Sequence, residues 1–279
     1  MTARREVERH LKTLDDIRGI MGSMKTLALL ETRKLTRRLA AQNRVVESIE
    51  AAASDLRGFF PFTPSLPENS PNINLLFGSE RGFCGDFNEA LLKALPPTGT
   101  SHPPLLLAVG RKLGAKLEGD PRAVALLDGA NVAEEVETIL NRLVDTLTAL
   151  QQRYGAFSLT AFHHRPDANV IRSVRVLPPF QESPPSPRFA YPPRLTLEPK
   201  ALFGALLDHY LFAALHAMAY TSLMAENHRR MEHLEGAVRR LEQDVTELAR
   251  RRNILRQEEI TEEIEVIMLS VEATRKTGP

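Results

Sequence analysis

Apolar residues recur every three or four positions through the first part of the chain. This spacing places their side chains along one stripe of a helix, because an α-helix has about 3.6 residues per turn. We therefore predict a first helix of about fifty residues that ends near Leu56. The stripe consists of Val7, Leu11, Leu14, Ile17, Met21, Met24, Ala28, Leu35, Leu39, Val46 and Ile49.

The last part of the chain has a more regular pattern, in which apolar residues alternate three- and four-residue steps. This is the heptad spacing of a coiled coil, and charges of both signs stand between the apolar positions. Such a seam needs a partner. We expect it to pair with the first helix in an antiparallel arrangement, and a coiled coil between two copies of the chain is the alternative. The seam consists of Met231, Leu234, Val238, Leu241, Val245, Leu248 and Leu255.

The prolines separate these two flanks from the middle of the chain. Eighteen of the nineteen prolines lie between Pro61 and Pro199. Proline removes a backbone donor and clashes with the preceding helical turn, so long helices are expected only outside this region. We predict three parts: an N-terminal coiled-coil helix over residues 1–58, an α/β domain over residues 70–198 and a C-terminal coiled-coil helix over residues 200–276.

The middle region alternates short apolar runs with helical segments, which is typical of a doubly wound sheet. The predicted fold class is α/β: a long antiparallel coiled coil of the N- and C-terminal helices plus a small Rossmann-like α/β domain. We predict helices at 88–94, 112–117 and 133–154, and strands at 73–77, 105–109, 157–162 and 170–177.

Composition narrows the classes of function. With 43% hydrophobic and 25% charged residues the chain is of ordinary globular composition, and its net charge of +1 predicts no broad basic surface for nucleic acid. The single cysteine, Cys84, excludes an internal disulfide framework. No uninterrupted run of about 18 apolar residues occurs, so neither a membrane span nor a direct contact with lipid is expected.

One segment has the composition of a binding loop. Gly78 to Asn88 reads Gly-Ser-Glu-Arg-Gly-Phe-Cys-Gly-Asp-Phe-Asn and lies where a predicted strand passes into a helix. Phosphates bind at such places in nucleotide-binding folds. However, a P-loop needs a lysine and a Ser or Thr after its last glycine, and the dinucleotide fingerprint needs closer glycines. We interpret the segment as a tight turn, with nucleotide binding as the alternative.

Other candidate chemistry is weak. His163 and His164 adjoin Asp167, but neighbouring residues of a strand point to opposite faces, which argues against a shared metal. No nucleophile-elbow pattern is present in the middle region. We therefore predict no catalysis by this chain alone, no cofactor and no metal. The remaining histidines considered, none paired with a carboxylate in a metal-binding pattern, are His209, His216, His228 and His233.

Three segments, in the right order along the whole chain, resemble the gamma subunit of F-type ATP synthases. Gly78 to Asn88 is similar to the family's Ser-Asp-Arg-Gly-Leu-Cys-Gly-Gly-Phe-Asn signature. Arg256 to Ile264 is similar to its Arg-Gln-x-x-Ile-Thr-x-Glu-Ile run, and Ile17 to Lys25 falls where the family has an Ile-Thr-Lys-Ala-Met segment. The family is built as helix, α/β domain, helix, which is the layout predicted above.

Several positions depart from the family pattern. Gly19, Met21, Gly22 and Ser23 replace the usual lysine and threonine residues, which leaves Met24 as the clearest match in that segment, and the glycine pair usual near the C-terminus is missing. A further change is Asp86 in place of the second glycine of the signature. These departures suggest a divergent or alternative bacterial form.

The resemblance implies a function in torque transmission. A gamma subunit is the non-catalytic rotor shaft that couples ion translocation to ATP synthesis or hydrolysis. It implies as partners the catalytic alpha and beta subunits in an alpha3beta3 ring, an epsilon-type subunit and the membrane c-ring. It also implies a peripheral location at the cytoplasmic face of the bacterial inner membrane.

The resemblance also implies contact residues for the catalytic ring. Five positions match family segments that meet catalytic-subunit loops: Met24, Arg256, Gln257, Thr261 and Glu263. We add a basic cluster that could face an acidic loop, and an apolar tip that would turn in an apolar collar. The cluster consists of Arg250, Arg251 and Arg252, and the tip of Ile264, Ile267, Met268 and Val271.

Two other classes of function stay open at this point. A self-associating coiled-coil scaffold would form a stable homodimer. A small nucleotide-binding enzyme would use the turn from Gly78 to Gly85 and would bind nucleotide as an isolated chain.

Overall fold

The structure is a computed structural model. It describes residues 2–60, 66–67, 70–96, 103–166, 168–180 and 190–276. In these residues five α-helices and five strands follow one another, and a short 3-10 turn, Ala133–Glu135, precedes the fourth helix. The elements are α1 (Thr2–Phe59), β1 (Asn72–Phe77), α2 (Phe87–Lys93), β2 (Leu105–Val109), α3 (Arg111–Leu117), β3 (Ala123–Leu127), α4 (Val136–Tyr154), β4 (Ser158–Arg165), β5 (Ala168–Leu177) and α5 (Pro199–Lys276).

The strands form one sheet with the order β3-β2-β1-β4-β5. The first four strands are parallel, and β5 runs antiparallel to β4 at the edge. The central strand β1 is buried from Ile73 to Phe77, because an apolar run can be covered on both faces of a parallel sheet. The predicted Rossmann-like fold class, with long helices at both ends of the chain, is confirmed.

The sequence pattern does not predict β3. Its residues are mostly alanine and leucine, which favour helix over strand, and most are only half-buried. Pairing with β2, for example between Leu107 and Ala125, decides the conformation here. Most residues of this short edge strand are not β-branched. Its extended conformation is therefore determined by pairing with β2 and not by the local sequence preference.

Helices cover both faces of the sheet. On one face α4 packs with segments of α1 and α5, and the buried positions of α4 recur every three or four residues. On the other face α2 and α3 bury Phe87, Leu91 and Leu113. Full burial of a leucine or phenylalanine side chain contributes about 1.5–3 kcal/mol. The buried stripe of α4 consists of Val136, Leu140, Leu143, Leu147 and Leu150.

The chain divides into two compact units. One unit comprises Ala28–Met231 and contains the sheet. The other comprises the segment up to Leu27 and the segment that starts at Glu232. The division falls inside α1 and α5, so each of these helices contributes residues to both units.

The second unit is an antiparallel helix pair. Arg4 pairs with Glu259 at 2.9 Å, and Lys25 pairs with Glu235 at 3.3 Å, so α1 runs opposite to α5. The heptad residues of α5 from Leu234 onward are buried or half-buried, as predicted. Ile17 differs, since it is 39% exposed. Two helices cover only a narrow seam, and a residue at its margin keeps contact with water.

The end of α5 in this unit is a single helix with apolar side chains on most of its surface. Every residue from Ile260 to Val271 is exposed. Because Arg4 pairs with Glu259, the described part of α1 supplies almost nothing to cover the residues beyond. A helix that is apolar on most of its circumference is normally buried in its working assembly.

One helix of the described chain, α5, is long and apolar enough over an 18-residue window to cross a membrane. A third of that window is buried inside the protein. Core helices of soluble proteins have the same length and composition, so this is weak evidence for a span.

The glycine at the end of β1 gives the first testable prediction. A Cβ at Gly78 would collide with the Cβ of Leu113 in α3, whereas a Cβ at Gly82 would meet no atom within 4 Å. We expect Gly78→Ala to lower the free energy of unfolding by about 1–3 kcal/mol through overpacking. Gly82→Ala, the matched control in the same turn, should change it by less than about 1 kcal/mol.

Thermal unfolding followed by circular dichroism measures both variants. Equal stability of the two would contradict the close packing of β1 against α3.

Candidate functional site

The turn from Gly78 to Asn88 lies at the carboxyl end of β1 and is held from inside. The Asn88 side chain accepts a hydrogen bond from the Ser79 backbone N–H at 2.9 Å and donates one to the Ser79 hydroxyl at 2.9 Å. Both residues are buried. This confirms a rigid strand-to-helix turn.

The carboxylate of Glu80 binds backbone N–H groups that follow β2 and β3. One oxygen of its buried carboxylate accepts the backbone N–H of Arg111 at 2.8 Å and that of Gly129 at 2.7 Å. The other oxygen pairs with the Arg111 guanidinium at 2.6 Å. Exposed amides at the ends of parallel strands attract anions, and here an internal carboxylate occupies them.

Glu226 of α5 anchors the same turn from the opposite side. Its two oxygens accept the backbone N–H groups of Glu80 and Arg81, each at 3.2 Å, and its carboxylate pairs with Arg230 one helical turn on. Burial raises the pKa of Glu226, while the Arg230 guanidinium and the two N–H donors pull it back toward its ordinary value. Both side chains are almost fully buried.

Cys84 is part of this buried arrangement. Burial, and to a lesser extent the charge of Glu226, raises the pKa of its thiol to about 12. Because the thiolate is the reactive form, Cys84 is a poor nucleophile. Its sulfur contacts the carbonyl oxygen of Gly82 at 3.3 Å and the Arg230 guanidinium at 3.5 Å, so its role is packing.

Phe83 is an exposed residue of the turn that sequence reasoning does not single out. Its φ is 63°, in the left-handed region that residues other than glycine seldom adopt. The ring is 51% exposed. The next residue, Cys84, is buried, and the turn exposes an apolar ring at the carboxyl end of β1.

His163 and His164 lie on opposite faces of β4, as predicted. His164 donates its Nε2–H to the carbonyl of Phe87 at 2.8 Å and stacks on the Phe87 ring with centroids 3.7 Å apart. Burial lowers the pKa of each histidine. Asp167 lies outside the described residues. In the part of the chain that the structure describes, no three His, Cys, Asp or Glu side chains form a metal-binding group.

A groove of about 690 Å³ lies between the edge hairpin β4–β5 and the helices α1 and α5 in the unit that contains the sheet. Its apolar walls include Val46 and Val174, and its polar lining includes Arg165, Arg172 and Glu50. Burial and the nearby Glu47 raise the pKa of Glu50. No local sequence pattern indicates this groove, because its walls come from four separate elements.

The contact residues predicted in the helix pair differ in exposure. Met24 is half-buried, which fits a seam position, and Arg256, Gln257, Thr261 and Glu263 are exposed on α5. The Thr261 hydroxyl donates a hydrogen bond to the Gln257 carbonyl at 2.9 Å. The exposed side chains are therefore available to a partner, while Met24 is largely occupied within the pair.

The three consecutive arginines do not form a single patch. Successive residues of a helix are rotated by about 100°, so the side chains fan out around α5. Arg250 and Arg251 are exposed, whereas Arg252 is half-buried at a seam position and donates to the Asn253 side chain at 3.1 Å. Their contact with an acidic loop stays a prediction.

The residues of the predicted apolar tip are all exposed in the helix pair. Ile264 and Ile267 are 52% and 60% exposed, and Met268 and Val271 are similarly exposed. Ile264, Ile267 and Val271 share one face of α5, since they are three or four residues apart. Val266 and Leu269 add apolar surface on other faces, which sequence reasoning did not include.

Comparison with known protein families identifies the relatives of this chain. A family model described as ATP synthase matches residues 3–274. An ATP synthase gamma chain from Parafrankia sp. (strain EAN1pec) is 27% identical over an alignment of 288 positions that covers 95% of each protein. One from Ruminococcus albus is 23% identical over 280 residues, covering 95% of this chain and 96% of the relative.

Solved structures show the same fold. A chain from the rotor of the Euglena gracilis mitochondrial ATP synthase superposes with a TM-score of 0.64 at 13% identity, covering 93% of this chain and 99% of that one. A chain from the central stalk and c-ring of the Tetrahymena thermophila mitochondrial ATP synthase gives 0.56 at 16% identity, covering 78% and 99%.

The position of Glu80 predicts that the turn does not bind nucleotide. Its carboxylate already satisfies the amides of Arg111 and Gly129 and would repel a phosphate. We expect isothermal titration of the purified chain with Mg-ATP or ADP to give no saturable heat up to about 1 mM. Saturable binding to the wild-type chain below that concentration would contradict this assignment.

The buried histidines predict a dependence of stability on pH. The pKa of His164 is lowered in the folded state, so the unfolded chain binds more protons once the pH falls below the ordinary histidine value of about 6.5. The free energy of unfolding should therefore decrease as the pH is lowered from about 7 to about 5.

Thermal unfolding across this pH range, measured for wild type and His164→Gln, tests the dependence. The variant should show a smaller loss of Tm on acidification, and His209→Gln, an exposed control on α5, should behave as wild type. Identical profiles for all three proteins would show that His164 does not contribute.

Proposed function

We propose a set of contacts for this protein from one premise: the chain belongs to the ATP synthase family, and its relatives there are gamma chains. It is a rotor-shaft subunit of the central stalk and is non-catalytic itself. Its function is to transmit torque that couples ion translocation to ATP synthesis or hydrolysis.

The observation that carries the proposal is the exposed apolar end of α5. Residues Ile260 to Val271 have no cover in the described chain, although leaving several large apolar side chains in water is unfavourable by about 25 cal/mol per Å². An apolar collar formed by the alpha3beta3 ring would cover them. Apolar contacts are not directional, so such a collar would hold the tip at every angle of rotation.

We propose that the exposed side chains of α5 between Arg250 and Glu263 meet loops of the catalytic subunits. Arg256, Gln257, Thr261 and Glu263 are the exposed candidates, with Arg250 and Arg251 nearby. Exposed ion pairs contribute about 0–1 kcal/mol each, so they can be exchanged as the shaft turns between catalytic sites. Met24 is half-buried, so only the exposed part of its side chain would contact a catalytic subunit.

Two further partners are proposed for the unit that contains the sheet. An epsilon-type subunit and the membrane c-ring would bind there, at the cytoplasmic face of the bacterial inner membrane. The groove beside β5, with its apolar walls and its arginines, supports a protein partner on this unit.

Reconstitution with the catalytic subunits tests the proposal. We expect the chain to co-purify with alpha and beta subunits as one copy per ring and to be required for ion-coupled ATP hydrolysis. In the double variant Ile264→Asp, Ile267→Asp the collar would have to bury two unpaired carboxylates, each at a cost of several kcal/mol. Assembly should therefore weaken by more than about tenfold.

Both substituted side chains are exposed in the free chain, so its own stability should change by less than about 1 kcal/mol. Val45→Asp, an exposed apolar position on α1, is the matched control and should assemble normally. A double variant that assembles like wild type would refute the collar, and a stable homodimer without affinity for catalytic subunits would refute the whole assignment.

A further inference from the structure

We infer that Ser222, Glu226 and Arg230 form a torque pin, a row of buried polar anchors that fixes the rotational position of α5 against the sheet. The inference rests on the rotor function above and assigns to these residues a positioning role in coupling. They stand four residues apart, so they lie on one face of α5 over about 12 Å of its length. All three are buried.

Each anchor bonds to the last residue of β1 or to the turn that follows this strand. The Ser222 hydroxyl donates to the carbonyl of Phe77 at 3.0 Å. Glu226 accepts the N–H groups of Glu80 and Arg81. Arg230 donates to the carbonyl of Gly82 at 3.3 Å. Four of these bonds go to backbone groups between Phe77 and Gly82, and Arg230 also contacts the buried sulfur of Cys84 at 3.5 Å.

Glu80 spreads this connection over three strands. Its backbone N–H bonds to Glu226, while its own carboxylate accepts N–H groups from Arg111, after β2, and Gly129, after β3. Gly78 also donates its N–H to the carbonyl of Val109 at 2.8 Å. A force on α5 at Glu226 is therefore carried to the ends of β1, β2 and β3 together.

Apolar packing alone would not fix this position. The same helix packs on the sheet through small and aliphatic side chains such as Ala214 and Leu215, and such contacts resist separation more than sliding or rotation. Hydrogen bonds weaken steeply when their angle changes. Buried hydrogen bonds that involve a charged group are stronger than those between neutral groups. The torque pin therefore resists sliding and rotation of α5 against the sheet.

Stability does not by itself explain a buried ion pair at this place. Replacing such a pair with apolar residues of similar volume is often neutral or stabilising, because two charges no longer have to be desolvated. A positioning role accounts for the pair, since apolar substitutes cannot bond to the amides of Glu80 and Arg81. A variant that removes both charges should therefore still fold but lose the positioning of α5, which distinguishes an effect on folding from an effect on coupling.

The test uses the complete ATP synthase in sealed vesicles with the double variant Glu226→Gln, Arg230→Met. Neither charge is left alone in the interior, so the domain should fold. We expect ATP hydrolysis to stay within about twofold of wild type, while ions transported per ATP fall by roughly fivefold. The variant can accept only one of the two N–H groups of Glu80 and Arg81, and it no longer donates to the Gly82 carbonyl. Arg230→Lys, which keeps the charge without the planar fork, should lie between the two.

The matched control is Glu89→Gln, Lys116→Met, which removes an exposed ion pair from the same domain and should leave transport per ATP unchanged. Wild-type transport per ATP in the Glu226, Arg230 double variant would overturn the inference. So would an equal loss of hydrolysis and transport, which indicates a structural role only. A wild-type chain that supports neither activity would instead refute the proposed function.

Discussion

The apolar stripes of α1 and α5 are the constraint on which the rest of the molecule depends. Neither helix can bury its stripe alone, and a helix as long as α5, 78 residues, is not held by its intrinsic propensity. The two end helices of one chain can pack against each other only if the segment between them reverses the direction of the chain. The α/β domain performs this return, and the antiparallel pairing of Arg4 with Glu259 is its consequence.

Charged residues serve two separate purposes in this protein. On the helix pair they are exposed, weak and replaceable, which suits a surface that must turn against its neighbours. At the turn after β1, Glu80, Glu226 and Arg230 are buried and bonded, and the loss of one partner would leave an unpaired charge in the interior. Glu80 and Glu226 therefore belong to the fold, although their sequence context resembles a binding loop.

Much of the fold could be predicted from the sequence. A long periodic apolar stripe indicates a helix and also that this helix packs against another element. The helices, the heptad seam and four of the five strands follow from spacing and from the positions of proline. The fifth strand, β3, does not, since alanine and leucine have no strong preference for a strand. Residues of the tip, such as Ile264 and Met268, could be named from resemblance, but their exposure is a property of the tertiary structure.

By itself the sequence determined the layout of helix, domain and helix, the family resemblance and the absence of a standard nucleotide motif. Periodicity and short motifs are local properties, so they can be read without coordinates. Only the tertiary structure decided that Glu80 closes the ends of three strands and that Glu226 and Arg230 bind the same turn. Residues 146 positions apart in the chain, Glu80 and Glu226, are brought together by packing, and no local pattern records a contact of that kind.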